Sequence, residues 1–129
     1  MNRPKIYMNL YITLVIMLLS ASQLFGAVLY VDRTLGSNIT NGTYSIANRN
    51  ATGNSGNAYT TIQAAVNACS AGDTIYMRGG TYSEYNIVIP NTVRGPEWTT
   101  LSSYPGEWAI LNGGGIQDAA ITHTLGFGE

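Results

Sequence analysis

The chain has one cysteine, one histidine and one lysine in 129 residues, and charged side chains make up 10% of it. Each scarcity closes off a class of protein. Cys69 has no partner for an intramolecular disulfide, so the domain must be held by packing and not by a cystine framework. With no other Cys or His nearby in sequence, the thiol reads as a small buried hydrophobe on a helix and not as a metal ligand. The lysine is Lys5, and beyond it the cations are Arg33, Arg49, Arg78 and Arg94, against Asp32, Asp73, Glu84, Glu97, Glu107, Asp118 and Glu129. That mildly acidic balance supplies no basic stripe for phosphate neutralisation and argues against nucleic acid as a partner.

What is present begins with a leader. Arg3 and Lys5 precede an apolar run from Leu10 to Leu19, and Ser20, Ala21 and Ser22 follow. This order is that of a secretory signal peptide, and the run is shorter than the roughly 20 residues that span a bilayer. Cleavage after Ser22, Gly26 or Ala27 would each fit. Residues 1–26 are therefore read as a signal peptide and 27–129 as one exported domain, with no stable membrane span after cleavage. No cysteine near the boundary indicates a lipid anchor.

Within the domain, Val28-Leu29-Tyr30-Val31 predicts a first strand. Residues 36–57, rich in Gly, Asn, Ser and Thr, predict a loop with little to bury, mobile unless a ligand orders it. Three Asn-x-Thr triplets, at Asn38, Asn41 and Asn50, fit the glycosylation pattern. Thr60 and Gln63 have capping-box spacing, and Ile62, Ala65, Val66 and Cys69 recur at helical spacing before Gly72. After this helix, at about 60–70, short strands are predicted at Thr74 to Met77, Asn86 to Ile89, Trp98 to Ser103, Trp108 to Leu111 and Ala119 to Thr122. Gly, Pro and Asn corners separate them. Ile75 and Met77 share the inner side of their strand, and Tyr76 is expected to point out.

The motifs Tyr30-Val31-Asp32, Tyr59-Thr60-Thr61-Ile62-Gln63-Ala64-Ala65-Val66 and Ala71-Gly72-Asp73-Thr74-Ile75-Tyr76-Met77-Arg78-Gly79-Gly80-Thr81-Tyr82 follow one another. Tyr104-Pro105-Gly106-Glu107 and Ile110-Leu111-Asn112-Gly113 come later. The order resembles the N-terminal end of secreted right-handed parallel β-helix proteins, the pectate-lyase-like superfamily. The fold it implies is all-β, the N-terminal coils of a right-handed parallel β-helix with a short capping α-helix. A solenoid's end coil needs such a lid, and too few coils leave the other end open to self-association through residues near Ile116 to Phe127.

The resemblance implies a longer, uronan lyase-like parent associated with extracellular polysaccharide. Such lyases abstract a proton α to a carboxylate and stabilise the enolate with a cation, which makes calcium the cofactor implied by resemblance. Their base and acidic ligands lie on central coils, so no catalytic residue transfers to this sequence. The chain is expected to be inactive alone, and a non-catalytic carbohydrate-binding or surface structural module is the alternative. The candidate substrate-binding residues are Arg78, for a substrate carboxylate, and Tyr82, Tyr85 and Trp98, for stacking on sugar rings. Against that, Arg78 reads as a solvated corner and the aromatics as packing groups. Asp32, Asp73 and Asp118 read as turn residues, and His123 as a solvated or core histidine.

Overall fold

Short β-branched and aromatic runs between Gly and Asn corners have room for strands of three or four residues and no more. The structure, a computed structural model, describes residues 26–93, 95, 97–115 and 121–123. Its strands are β1 (Val28–Val31), β2 (Asn57–Tyr59), β3 (Thr74–Met77), β4 (Gly80–Tyr82), β5 (Ile87–Ile89), β6 (Thr100–Ser103), β7 (Ala109–Leu111) and β8 (Ile121–His123). Helix α1 (Ile62–Ala68) lies between β2 and β3, and a 3₁₀ turn, Asn91–Val93, follows β5. A four-stranded sheet has the order β2-β1-β3-β6, and β4-β7 and β5-β8 form two-stranded sheets. Every strand pair is parallel.

Register sorts the side chains. Leu29, Ile75 and Leu101 are aligned across β1, β3 and β6, and with Val31, Ile62, Val66, Tyr82 and Ile87 they belong to the main apolar core. Tyr30 and Tyr76 are aligned on the opposite face. Tyr76 points away from the main core, as expected, and on that face packs with Tyr30, Tyr44 and Tyr104 in a second cluster. Both faces of this sheet are thus covered, as burial of a parallel sheet requires.

The all-β right-handed parallel β-helix expectation is overturned. Among the described residues the fold is mixed α/β, with short strands in small parallel sheets, 10% helix and 33% strand, and no solenoid. One physical reason lies in residues 36–57. Instead of an open loop with nothing to bury, this segment buries Ile39 and Tyr44 and makes its own bridges, Ile39 with Ala58, Thr43 with Gly56 and Ser45 with Asn50. A second is that corner residues hold the strands to three or four residues, with Gly80 at φ 147° at the start of β4 and Asn86 at φ 54° just before β5.

Helix α1 starts one residue later than its sequence signal. Thr61, not Thr60, is the N-cap, and its Oγ1 accepts from the Ala64 N–H. The reach-back expected of Gln63 is replaced by Glu84, whose carboxylate accepts from the Ile62 and Gln63 N–H groups at 2.9 and 3.2 Å. A carboxylate on the free N–H groups of a helix start is favoured by both hydrogen bonding and the helix dipole. Ile62, Ala65 and Val66 turn inward from α1. Cys69 follows them, buried, with its thiol donating to the Val66 carbonyl. Beyond Cys69, the Asp73 carboxylate accepts from the Ser70 and Ala27 N–H groups, tying the helix exit to the start of β1.

The leader expected over residues 1–26 lies outside the described residues except for Gly26, as do Arg94, Asp118 and most of the Ile116 to Phe127 region. No helix among the described residues is long and apolar enough to cross a membrane.

Because α1 has only seven residues, its start must be fixed from outside. Thr61→Ala and Glu84→Ala are each expected to lower unfolding free energy by about 1 kcal/mol. Ile62→Asp, which places a carboxylate in the core, is expected to prevent folding. Urea unfolding followed by far-ultraviolet dichroism measures all three.

Candidate functional site

Asp32 follows β1 and is fully buried, so its charge must be met inside the protein. Arg49, on the 36–57 segment, meets it bidentately, with Nε 2.8 Å from Oδ2 and Nη2 2.6 Å from Oδ1. Thr34 donates its N–H and hydroxyl to Oδ1, and the Tyr44 hydroxyl donates to Oδ2 at 2.7 Å. The same Tyr44 hydroxyl accepts from Arg78 Nη1 at 2.9 Å. Arg78 completes its bonding with the Ile46 carbonyl and the Glu107 carboxylate, which also accepts from the Gly79 N–H. The Arg78 guanidinium stands 4.9 Å from the centre of the Tyr104 ring. One hydroxyl therefore joins two ion pairs, Asp32–Arg49 and Arg78–Glu107.

The electrostatics follow the bonding. Burial opposes ionisation of Asp32, but the bonds from Arg49, Thr34 and Tyr44 outweigh it and hold the carboxyl well below its ordinary range. Burial and then the adjacent Asp32 charge push the Tyr44 hydroxyl far up. The Glu107 bonds raise Arg78 against the effect of burial, and in return Arg78 lowers Glu107. Tyr82 is pushed up to about 12, chiefly by burial and then by Asp32. None of these groups is poised to exchange protons near neutral pH, and the arrangement is that of a charge-satisfied clamp.

This changes the standing of two candidate binding residues. Arg78 is 5% exposed and fully occupied, so it is neither a solvated corner nor free for a substrate carboxylate. Tyr82 is buried, its hydroxyl shared between the Val31 and Arg78 carbonyls. Tyr85 and Trp98 are exposed, but not together. Trp98 precedes β6 at the N-terminal ends of β3 and β6, whereas Tyr85 follows Glu84 near the start of α1. Asp32, read as a turn residue, does open a turn, its carbonyl accepting from the Leu35 N–H, and its carboxylate is also the centre of the clamp. Its missed signal was that Tyr30-Val31-Asp32 is continuous with the strand, where a carboxylate needs a partner.

The surface group that sequence reasoning left out is Trp108. It is 87% exposed, and Ile110, two residues on, is 56% exposed. Alternation along an extended chain puts these two side chains on one outer face of β4-β7. Ile110 is aligned with Thr81. Arg33 lies at the edge of β4 away from β7, with its stem 3.0 Å from where a Gly80 side chain would begin and its Nη1 donating to the Thr81 carbonyl. Trp108, Ile110 and Thr81 thus form an apolar strip with a hydroxyl group at its margin.

Elsewhere, an apolar cavity of about 180 Å³ lies beneath the end of α1, lined by Cys69, Ile75, Val93 and Leu101 among others. Among the described residues no group of three or more His, Cys, Asp or Glu could hold a metal ion. No protein-family model, curated protein or solved structure matches this chain.

Because the folded-state pKa of Asp32 lies below its ordinary 3.8, its stabilising contribution is complete above that value and is lost as pH falls below it. Glu107 acts in the same direction. Stability measured by urea unfolding is expected to fall as pH drops from about 5, and Asp32→Asn to flatten that fall. At neutral pH Asp32→Asn is expected to cost about 3 kcal/mol, the lower end for breaking a buried pair, because Arg49 keeps 30% of its side-chain surface in solvent.

Proposed function

We propose that this chain is an exported, non-catalytic domain that contacts extracellular polysaccharide through the outer face of β4-β7. The observation that carries the reading is Trp108 standing 87% exposed beside Ile110 on a strand face that the sheet holds rigid. A large apolar ring held in water is costly to maintain unless something covers it, and the C–H face of a pyranose fits a flat indole. The Thr81 hydroxyl at the margin suits a sugar hydroxyl. Export rests on the order of charge, apolar run and small residues over residues 1–26.

The lyase-parent reading has less support, because Arg78 is committed to Glu107 and Tyr44 and Tyr82 is buried. The alternative, a binding module, is favoured because Asp32, Arg49, Arg78 and Glu107 are consumed by one another while Trp108 and Ile110 stand outside.

Affinity electrophoresis through gels containing neutral or acidic plant, algal or microbial polysaccharides tests this. At least one polymer is expected to retard the wild-type chain. Trp108→Ala is expected to weaken that retardation roughly tenfold, equivalent to about 1.4 kcal/mol, and Trp98→Ala to leave it unchanged. Retardation by no polymer, or equal retardation of Trp108→Ala, would refute the assignment.

A further inference from the structure

The two long edges of the sheets are treated differently. On one side a fitted group closes each outermost strand. β2 meets Ile39, which donates to the Ala58 carbonyl at 2.7 Å and accepts the Ala58 N–H at 2.9 Å. β4 meets Arg33, which donates to the Thr81 carbonyl. β5 meets the Gln63 side-chain amide, whose Oε1 accepts the Val88 N–H at 2.8 Å while Nε2 donates to the Val88 carbonyl at 3.1 Å. That amide stands in for the peptide group of a neighbouring strand.

Among the described residues the other side has no such set of closures. Thr100 and Tyr104 donate to the Asp73 and Met77 carbonyls, so the alternate residues Leu101 and Ser103 of β6 turn their peptide groups outward. In the same way the Gly80–Trp108 and Asn112–Tyr82 bonds turn Ala109 and Leu111 of β7 outward. The Ser103 hydroxyl takes the Ala109 N–H. Among the described residues nothing closes the outward groups of Leu101 and Leu111. Neither strand carries a charge, a proline or a bulge, the usual guards of a free edge. Leu101, Ala109 and Leu111 are only partly buried.

This asymmetry selects the partner. The open side of one copy cannot extend onto the closed side of another, so head-to-tail growth is blocked. A second copy can dock only with its own open side, and a two-fold axis then pairs the edges antiparallel. We propose that the β6 and β7 edges form the interface of a two-fold homodimer of this chain.

Sedimentation equilibrium of the purified chain over a range of concentrations is expected to give twice the monomer mass. Thr100→Lys combined with Ser102→Lys places like charges on both copies of the shared edge. It is expected to raise the dissociation constant about tenfold or more while dichroism and melting of the dilute protein are unchanged. Gln63→Ala frees the Val88 peptide groups and is expected to allow assemblies larger than a dimer. A monomer at every concentration, or a dimer indifferent to the lysine pair, overturns the proposal. A strict dimer after Gln63→Ala, with Val88 still protected from hydrogen exchange, overturns the blocking role given to the closed side.

Discussion

A carboxylate with no access to water, Asp32, sets the terms for the rest of the structure. Its position at the end of β1 is fixed by the sheet, so compensation has to be brought to it. Arg49 comes from the 36–57 segment, and holding its guanidinium in place gives that Asn-rich stretch a defined path. Tyr44 comes from the same segment and carries the bonding on to Arg78 and Glu107. Residues far apart in sequence are thereby committed to one polar cluster, and truncating any of them strands a charge that the others have desolvated.

How far the sequence revealed this depends on the range of the interaction. β3 was legible to its ends, Thr74–Met77, because the alternation Ile75, Tyr76, Met77 and the flanking glycines are local signals. The helix was legible as an apolar stripe. Its start was displaced because Glu84, which binds the first N–H groups, lies two strands away. β2 and β4 were missed: Asn57-Ala58-Tyr59 and Gly80-Thr81-Tyr82 have little strand character of their own and are extended because β1 and β7 pair with them. The fold class failed for the related reason that runs of similar short strands do not reveal how a long intervening segment folds on itself.

At the candidate site the division is similar. Tyr85 and Trp98 were recognisable as aromatics but not as isolated ones, since their separation is a property of the assembled sheets. Trp108 differs from Trp98 only in that the β4-β7 pair gives it an apolar neighbour on the same face. The charged residues misled most. Arg78 beside two glycines looks like a surface corner, and only the convergence of Tyr44, Ile46 and Glu107 reveals a buried guanidinium.

The unpaired Cys69 has a consequence for redox chemistry. Burial, and then the nearby Asp73 charge, raise its thiol pKa, and its hydrogen is bonded to the Val66 carbonyl. Disulfide exchange proceeds through an accessible thiolate, and this sulfur is neither accessible nor ionised. In an oxidising compartment the folded chain can therefore carry an odd cysteine without being trapped as a mixed disulfide, and the sulfur becomes reactive only in molecules that have opened around α1.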